Sequence, residues 1–288
     1  MDNTDIITLC EGTKSRGFNF RKRTKVMMIC GIFFLVTVTV AGVLLAEEAV
    51  ATDFSKKNMT PCIPYLFGTD WMGRNMLART LKGLSGSILI GVFASAISAV
   101  IALVLGTMAA TFGKTADAVI TWLIDLMLGV PHIVLLVLIS YALGKGFWGV
   151  TIGVALTHWP SLSRVLRGEI LQIKEAAYIS IARQLGKSPW YIARKHILPH
   201  ILPQFLVGLI LLFPHAILHE ASVTFLGFGL SPEKPAIGII LSESMAYLST
   251  GKWWLALFPG LALVLVVVLF DRIGNGLRTL LDPSSAHV

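Results

Sequence analysis

The chain has 288 residues, 55% of them hydrophobic and only 14% charged, with a mean hydropathy of +0.76; this composition excludes a solvated globular surface and puts most of the chain in lipid. The formal charge of +8 does not point to nucleic acid, because the basic residues flank long apolar runs instead of sharing one stripe. The length accommodates several spans of roughly 20 residues with short loops, and no further domain of ordinary size.

Residues 1–24 form a polar tail that ends in Arg21, Lys22 and Arg23. Six apolar runs follow, at 25–46, 85–112, 118–143, 147–166, 201–229 and 253–281, each long enough to cross a hydrocarbon core as a helix. The fold class is therefore an all-α membrane protein with about six transmembrane helices. The first run has basic residues before it and Ala49-Val50-Ala51 after it, as a cleaved signal would. Its apolar stretch exceeds the roughly 7–15 residues of a signal core, so it is read as a retained span. Residues 47–84 are the one long loop expected outside, where Pro61 and Pro64 favour extended chain. With the amino terminus inside, sixteen Lys and Arg residues lie in internal segments against eight outside. That bias orients membrane proteins, so both termini are expected in the cytoplasm, with 85–283 as a core of five spans and 284–288 as a tail. Cys10, Cys30 and Cys62 fall in a tail, an apolar run and a loop, and no disulfide is expected.

Several polar residues interrupt these runs. Asp125 sits within the third, where a carboxylate costs roughly 2.5–3.5 kcal/mol and must be paired or line water. A translocation path and a structural ion pair both satisfy that requirement. His158 in the fourth run and His215, His219 and Glu220 in the fifth are further candidates for the pathway. His215 and His219 share a helix face at i, i+4 and have the spacing to hold a borderline metal such as Ni²⁺ transiently; hydrogen-bonded packing between helices is the reading that a lone two-residue pair favours. A metalloprotease is excluded, because Ala216 stands where the general base is required. Gly113-Lys114-Thr115 is not a phosphate loop, since Met108 occupies the position of its first glycine. The chain is thus expected to be no enzyme and to bind no cofactor itself.

The stretch 167–200 is amphipathic. Ile170, Ile173, Ala177, Ile181 and Leu185 recur at helical spacing, Gly186 stops that helix, and Ser188 with Pro189 starts another. Two short helices joined at a glycine make either a connector on the membrane surface or a docking element for another protein.

Ala182 and Gly186, followed by a run ending in His196-Ile197-Leu198-Pro199, resemble the cytoplasmic loop of binding-protein-dependent ABC importers. The departures Ser180, Ile181 and His196 resemble the oligopeptide, dipeptide and nickel permeases in particular. Gly68-Thr69-Asp70-Trp71-Met72-Gly73-Arg74-Asn75 is similar to that branch's GTDxxGRD stretch, with Asn75 replacing Asp. Residues 222–230, SVTFLGFGL, resemble its SFLGLG stretch. The tail from Phe270-Asp271-Arg272 to Leu281-Asp282-Pro283 resembles its last helix.

This resemblance implies the type I ABC importer permease fold in a bacterial-type cell (inner) membrane. The implied partners are a second homologous permease subunit, two cytoplasmic ATPase subunits that use ATP and Mg²⁺, an extracytoplasmic solute-binding protein and the lipid bilayer, with no nucleic acid. Ala182, Arg183, Leu185, Gly186, Lys187 and Trp190 are the implied contacts to the ATPase. The surroundings of His158 and His219 resemble the nickel-transporting members, which implies nickel or a nickel chelate as cargo, with di- or oligopeptides as the alternative. A self-sufficient secondary transporter would show internal repeats, and the two halves show none that convinces.

Overall fold

The computed structural model describes residues 3–281, and every regular element among them is helical. The helices are α1 (Asn3–Leu44), α2 (Met76–Thr111), α3 (Lys114–Gly129), α4 (His132–Ala142), α5 (Gly146–Lys174), α6 (Ala177–Gln184), α7 (Pro189–Ile192), α8 (Leu198–Phe225), α9 (Ile237–Leu248) and α10 (Trp254–Leu281). Helix α1 begins well inside the segment read as a tail. The tail 284–288 and Asp282-Pro283 of the final motif lie outside the described residues.

Among the described residues, four helical stretches are long and apolar enough to cross a membrane: Arg21–Leu44, Met76–Thr111, Trp190–Phe225 and Trp254–Leu281. The expected third span is not one straight helix. It breaks between α3 and α4 by 97°, and counting this bent pair gives up to five spans instead of six. Pro131 causes the break, since its ring drives Val130 out of the helical region to ψ 137°.

The remaining expected span lies in α5, whose 29 residues are long enough to cross at 1.5 Å per residue but are not apolar enough. Its polar side chains are the reason. Thr151, Thr157, His158 and Ser163 are buried against neighbouring helices, so α5 occupies the middle of the bundle and meets protein where other spans meet lipid. On α10, by contrast, Leu257, Leu261, Val264 and Val268 remain exposed in a row suited to acyl chains.

Helices α2 and α5 pack together along most of their length through small residues, including Ala99, Ala102 and Gly106 of α2. At Gly106 the backbones are so close that a Cβ would lie 2.8 Å from the Ser163 carbonyl oxygen. Gly106→Leu should therefore destabilise the chain by about 3 kcal/mol, the upper part of the overpacking range. Unfolding free energies of the detergent-purified protein check this. Gly168→Ala, where a Cβ meets nothing within 4 Å, should cost nothing.

The long loop between α1 and α2 is fastened by the motif that begins at Gly68. The Asp70 carboxylate accepts from the Met72 and Arg74 backbone N–H groups at 2.9 and 3.0 Å, from Arg74 Nε at 2.6 Å and from Arg79 at 2.5 Å. Both arginines also reach Glu243 of α9, at 3.3 and 3.1 Å. Asn75 caps α2 by accepting the Leu77 N–H at 3.0 Å, so the change from Asp preserves the cap.

At the other end of the motif series, residues 226–230 fold back onto the turn between α4 and α5. Gly146 N–H donates to Gly229 O at 3.0 Å and Ser140 Oγ to Phe228 O at 3.2 Å. This clasp holds α4, α5 and the end of α8 in register.

Candidate functional site

Two features combine exposure or polarity with a built geometry: an apolar face on α6 and α7, and a group of histidines within the bundle.

Helix α6 ends in a Schellman motif, with Gly186 N–H returning to Arg183 O at 3.0 Å and Lys187 N–H to Ala182 O at 3.1 Å. The closing residue must take a positive φ, and Gly186 does so at +72°. The expected single helix from Ile170 to Leu185 is interrupted, because α5 ends at Lys174 and α6 begins at Ala177. Nor is there a second free helix after Gly186. The short α7 continues through a π-turn at Ala193–Ile197 into α8, with Leu198 N–H bonding to Ala193 O. Pro199 supplies no N–H to this ladder, and the wide turn just before it accommodates the loss. The projecting element is therefore α6 alone, braced against the end of a membrane helix.

Ile170, Ile173, Ile179, Ala182, Ile192, Ile197 and Ile201 close a hydrophobic cluster beneath it. Ala182, expected as a contact residue, faces this cluster and is buried. Leu185 and Trp190 face the other way, 71% and 75% exposed, and Tyr178 and Ile181 extend the same apolar surface. Arg183 and Lys187 are exposed at its edge, with the Lys187 ammonium 5.2 Å from the Tyr191 ring centre. A cavity of about 320 Å³ lies beside Trp190, lined by Thr107, Thr111, Arg194 and Ile201 among others.

Inside the bundle, His132 of α4, His158 of α5 and His219 of α8 each bring a ring nitrogen within 4.8 Å of the other two. The His158 and His219 rings approach at Nε2···Nδ1 3.2 Å. His132 stands edge-on to both, with ring centres 4.5 and 4.4 Å away. His215 is not in this group; it is exposed, and its backbone oxygen accepts from His219 Nδ1 at 2.7 Å. The i, i+4 pair read from spacing thus gives way to a triad from three helices. His132 went unnoticed because a straight third span gives no reason to bring it near α5 or α8. Its only local signal is that any ionisable residue inside an apolar run needs a partner.

Asp125 is paired with Arg164 at 2.6 Å, and both side chains are more than half exposed. Asp117 and Arg167 form a second ion pair between the same helices, so α3 is pinned to α5 at two heights. Glu220 is completely buried, where it accepts from Thr224 Oγ1 at 3.0 Å and faces Ser87 of α2. It links α8 to α2 in this conformation.

The family model described as "Binding-protein-dependent transport system inner membrane component" matches residues 102–286. The chain is 29% identical over 266 residues to the dipeptide transport system permease protein DppC of Bacillus subtilis (strain 168), covering 91% of this chain and 83% of that protein. It is 34% identical over 257 residues to a putative peptide transport system permease protein of Brucella suis, covering 88% and 86%. It is also 33% identical over 242 residues to the probable D,D-dipeptide transport system permease protein DdpC of Escherichia coli (strain K12), covering 84% and 81%. A solved structure of inward-facing conformations of the MetNI methionine ABC transporter aligns with a TM-score of 0.52 at 20% identity, over 70% of this chain and 97% of the other. At that identity the likeness concerns the fold, which is that of the type I ABC importer permeases. These relatives carry peptide names, and they do not support the nickel cargo implied by the histidines' sequence surroundings.

Proposed function

The chain belongs to the inner membrane components of binding-protein-dependent transport systems, and from that premise we propose that it forms half of the translocation pathway of an ATP-driven importer of di- or oligopeptides. The observation that carries the cargo class is the identity with peptide permeases over most of both chains. As a permease subunit it is a transport component and not an enzyme. ATP and Mg²⁺ act in its ATPase partners, and cargo arrives from a solute-binding protein on the outer side.

The wider assembly in this proposal contains a second, homologous permease and two ATPase subunits. Asp125 and Arg164, exposed in the isolated chain, lie where the second permease or the pathway would cover them. The exposed apolar face of α6 and α7 is the seat of the ATPase, with Leu185 and Trp190 as anchors and Arg183 and Lys187 at the rim. Gly186 shapes the turn between them. ATP must stabilise one arrangement of the two permeases over the other, because a ligand with equal affinity for both states shifts nothing. Helix α6 suits that linkage, since its inner side is locked by Ile179 and Ala182 to the ends of α5 and α8.

Uptake of a radiolabelled dipeptide, measured in cells carrying the complete transporter, tests this reading. Deleting this chain, or inactivating the ATPase, should reduce uptake to background while nickel accumulation stays unchanged. Peptide uptake that persists without a functional ATPase would overturn the proposal in favour of a self-sufficient carrier.

A further inference from the structure

We propose that His132, His158 and His219 form a binding site for a borderline divalent transition-metal ion, of the Co²⁺ to Zn²⁺ class, within the helix bundle. The site goes beyond the transport reading above, which requires only a pathway and no metal. Three helices that are separate in sequence each contribute one imidazole, and the three ligand nitrogens lie within 4.8 Å of one another. A tetrahedral ion holds its ligand nitrogens about 1.6 times the 2.0–2.1 Å metal–nitrogen distance apart, roughly 3.3 Å, and side-chain movements bring the spread to that value.

The hydrogen bonds around the rings favour ligation. His158 Nδ1 lies 2.8 Å from the Val154 carbonyl oxygen, which can only accept, so this nitrogen carries the proton and the lone pair is left on Nε2. His219 Nδ1 is 2.7 Å from the His215 carbonyl oxygen and also faces His158 Nε2 at 3.2 Å, so a metal taken up here replaces that ring-to-ring contact and requires the His219 ring to turn a lone pair toward the ion. A backbone carbonyl behind the ring is the usual second partner of a metal-bound histidine, because it fixes the tautomer and the ring plane. His132 supplies the third element, a buried Nε2 with no hydrogen-bond partner. A polar nitrogen left unpaired inside the bundle has a cost, and a cation shared by the three rings removes it.

Three imidazoles leave one position of a tetrahedral ion open. Water fills it at rest. In a peptide permease, the free amine or carboxylate of a passing ligand is a suitable replacement, so the site favours cargo that can itself ligate a metal. Imidazole donors select this group of metals over Mg²⁺ and Ca²⁺, which prefer oxygen.

Titration of the detergent-purified full-length chain with Co²⁺ tests the proposal directly. The expected result is one equivalent bound, with the intense visible bands of a tetrahedral imidazole complex. His132→Asn, His158→Ala and His219→Ala should each weaken binding by at least about 100-fold, the upper end of what loss of a mere outer-shell partner causes. His215→Ala, which retains the backbone carbonyl, should bind as wild type. Substoichiometric binding by the wild type overturns the site whatever the variants do. So does binding that survives His132→Asn, or that depends on His215 instead. His132 is less buried than His158, so its variant guards against a result that reflects misfolding. Binding and peptide uptake fail separately: normal uptake with no cobalt bound removes the site alone, and stoichiometric cobalt with no peptide uptake removes the transport reading alone.

Discussion

Trp190→Ala should cut ATP-driven uptake to a few per cent of wild type while the chain still inserts and still pairs with its partner permease. The indole is 75% exposed in the isolated chain, so its removal disturbs little of the chain's own packing. A large aromatic at the centre of an interface typically accounts for 2 kcal/mol or more, and so for about a 30-fold loss of affinity between permease and ATPase. Leu185→Asp should do more, since it places a charge where an apolar pocket is expected. Two measurements check the prediction together: ATPase co-purified per permease, and uptake at matched membrane levels. Ala182→Leu provides a contrast. Ala182 faces the cluster of Ile170, Ile179 and Ile197, so its enlargement should lower the melting temperature of the chain itself, which Trp190→Ala should leave alone. Full ATPase retention by both Trp190→Ala and Leu185→Asp would remove α6 and α7 as the docking surface.

The second large effect is expected where the loop before α2 meets α9, at Arg79→Met. Arg79 is almost completely buried and bonds both Asp70 and Glu243. Removing one partner of a buried ion pair typically costs 3–5 kcal/mol, because the remaining charge keeps its desolvation penalty. Arg74 still reaches both carboxylates, which places the expected loss near 3 kcal/mol. The origin of the loss is testable by a double variant. If the stranded carboxylate is responsible, Arg79→Met with Glu243→Gln should recover part of the stability, and the two substitutions should be clearly non-additive. Simple additivity would mean that the arginine acts through packing alone. Glu48→Gln, which alters the exposed hydrogen bond to Asn75, should change stability by less than about 0.5 kcal/mol.

The motif around Asp70 illustrates how family resemblance and physical role differ. The resemblance identified the stretch without assigning it a task, and the structure gives it a structural one. It ties the loop between α1 and α2 to α2 and α9 through one cluster of charges. Likewise, residues 222–230 owe their pattern to the clasp between Gly229 and Gly146, with Gly227 at φ +82° making the turn. Asp125, for which path and ion pair were open alternatives, has its partner in Arg164.

Composition and short-range order determined a good deal by themselves. Mean hydropathy placed the chain in the membrane, the lengths of the apolar runs located most of the helices, and the Gly186 stop was legible because a Schellman motif spans only a few residues. These properties are local: they depend on side-chain transfer energies and on backbone bonds within one helical turn. The tertiary structure alone decided that α3 and α4 meet at 97°, that α7 extends α8, that Ala182 turns inward while Trp190 turns out, and that His132 joins His158 and His219. Each of these depends on which faces of distant helices meet. Periodicity along one helix marks a face without naming its neighbour, and close packing between backbones, as at Gly106 and Ser163, makes that choice.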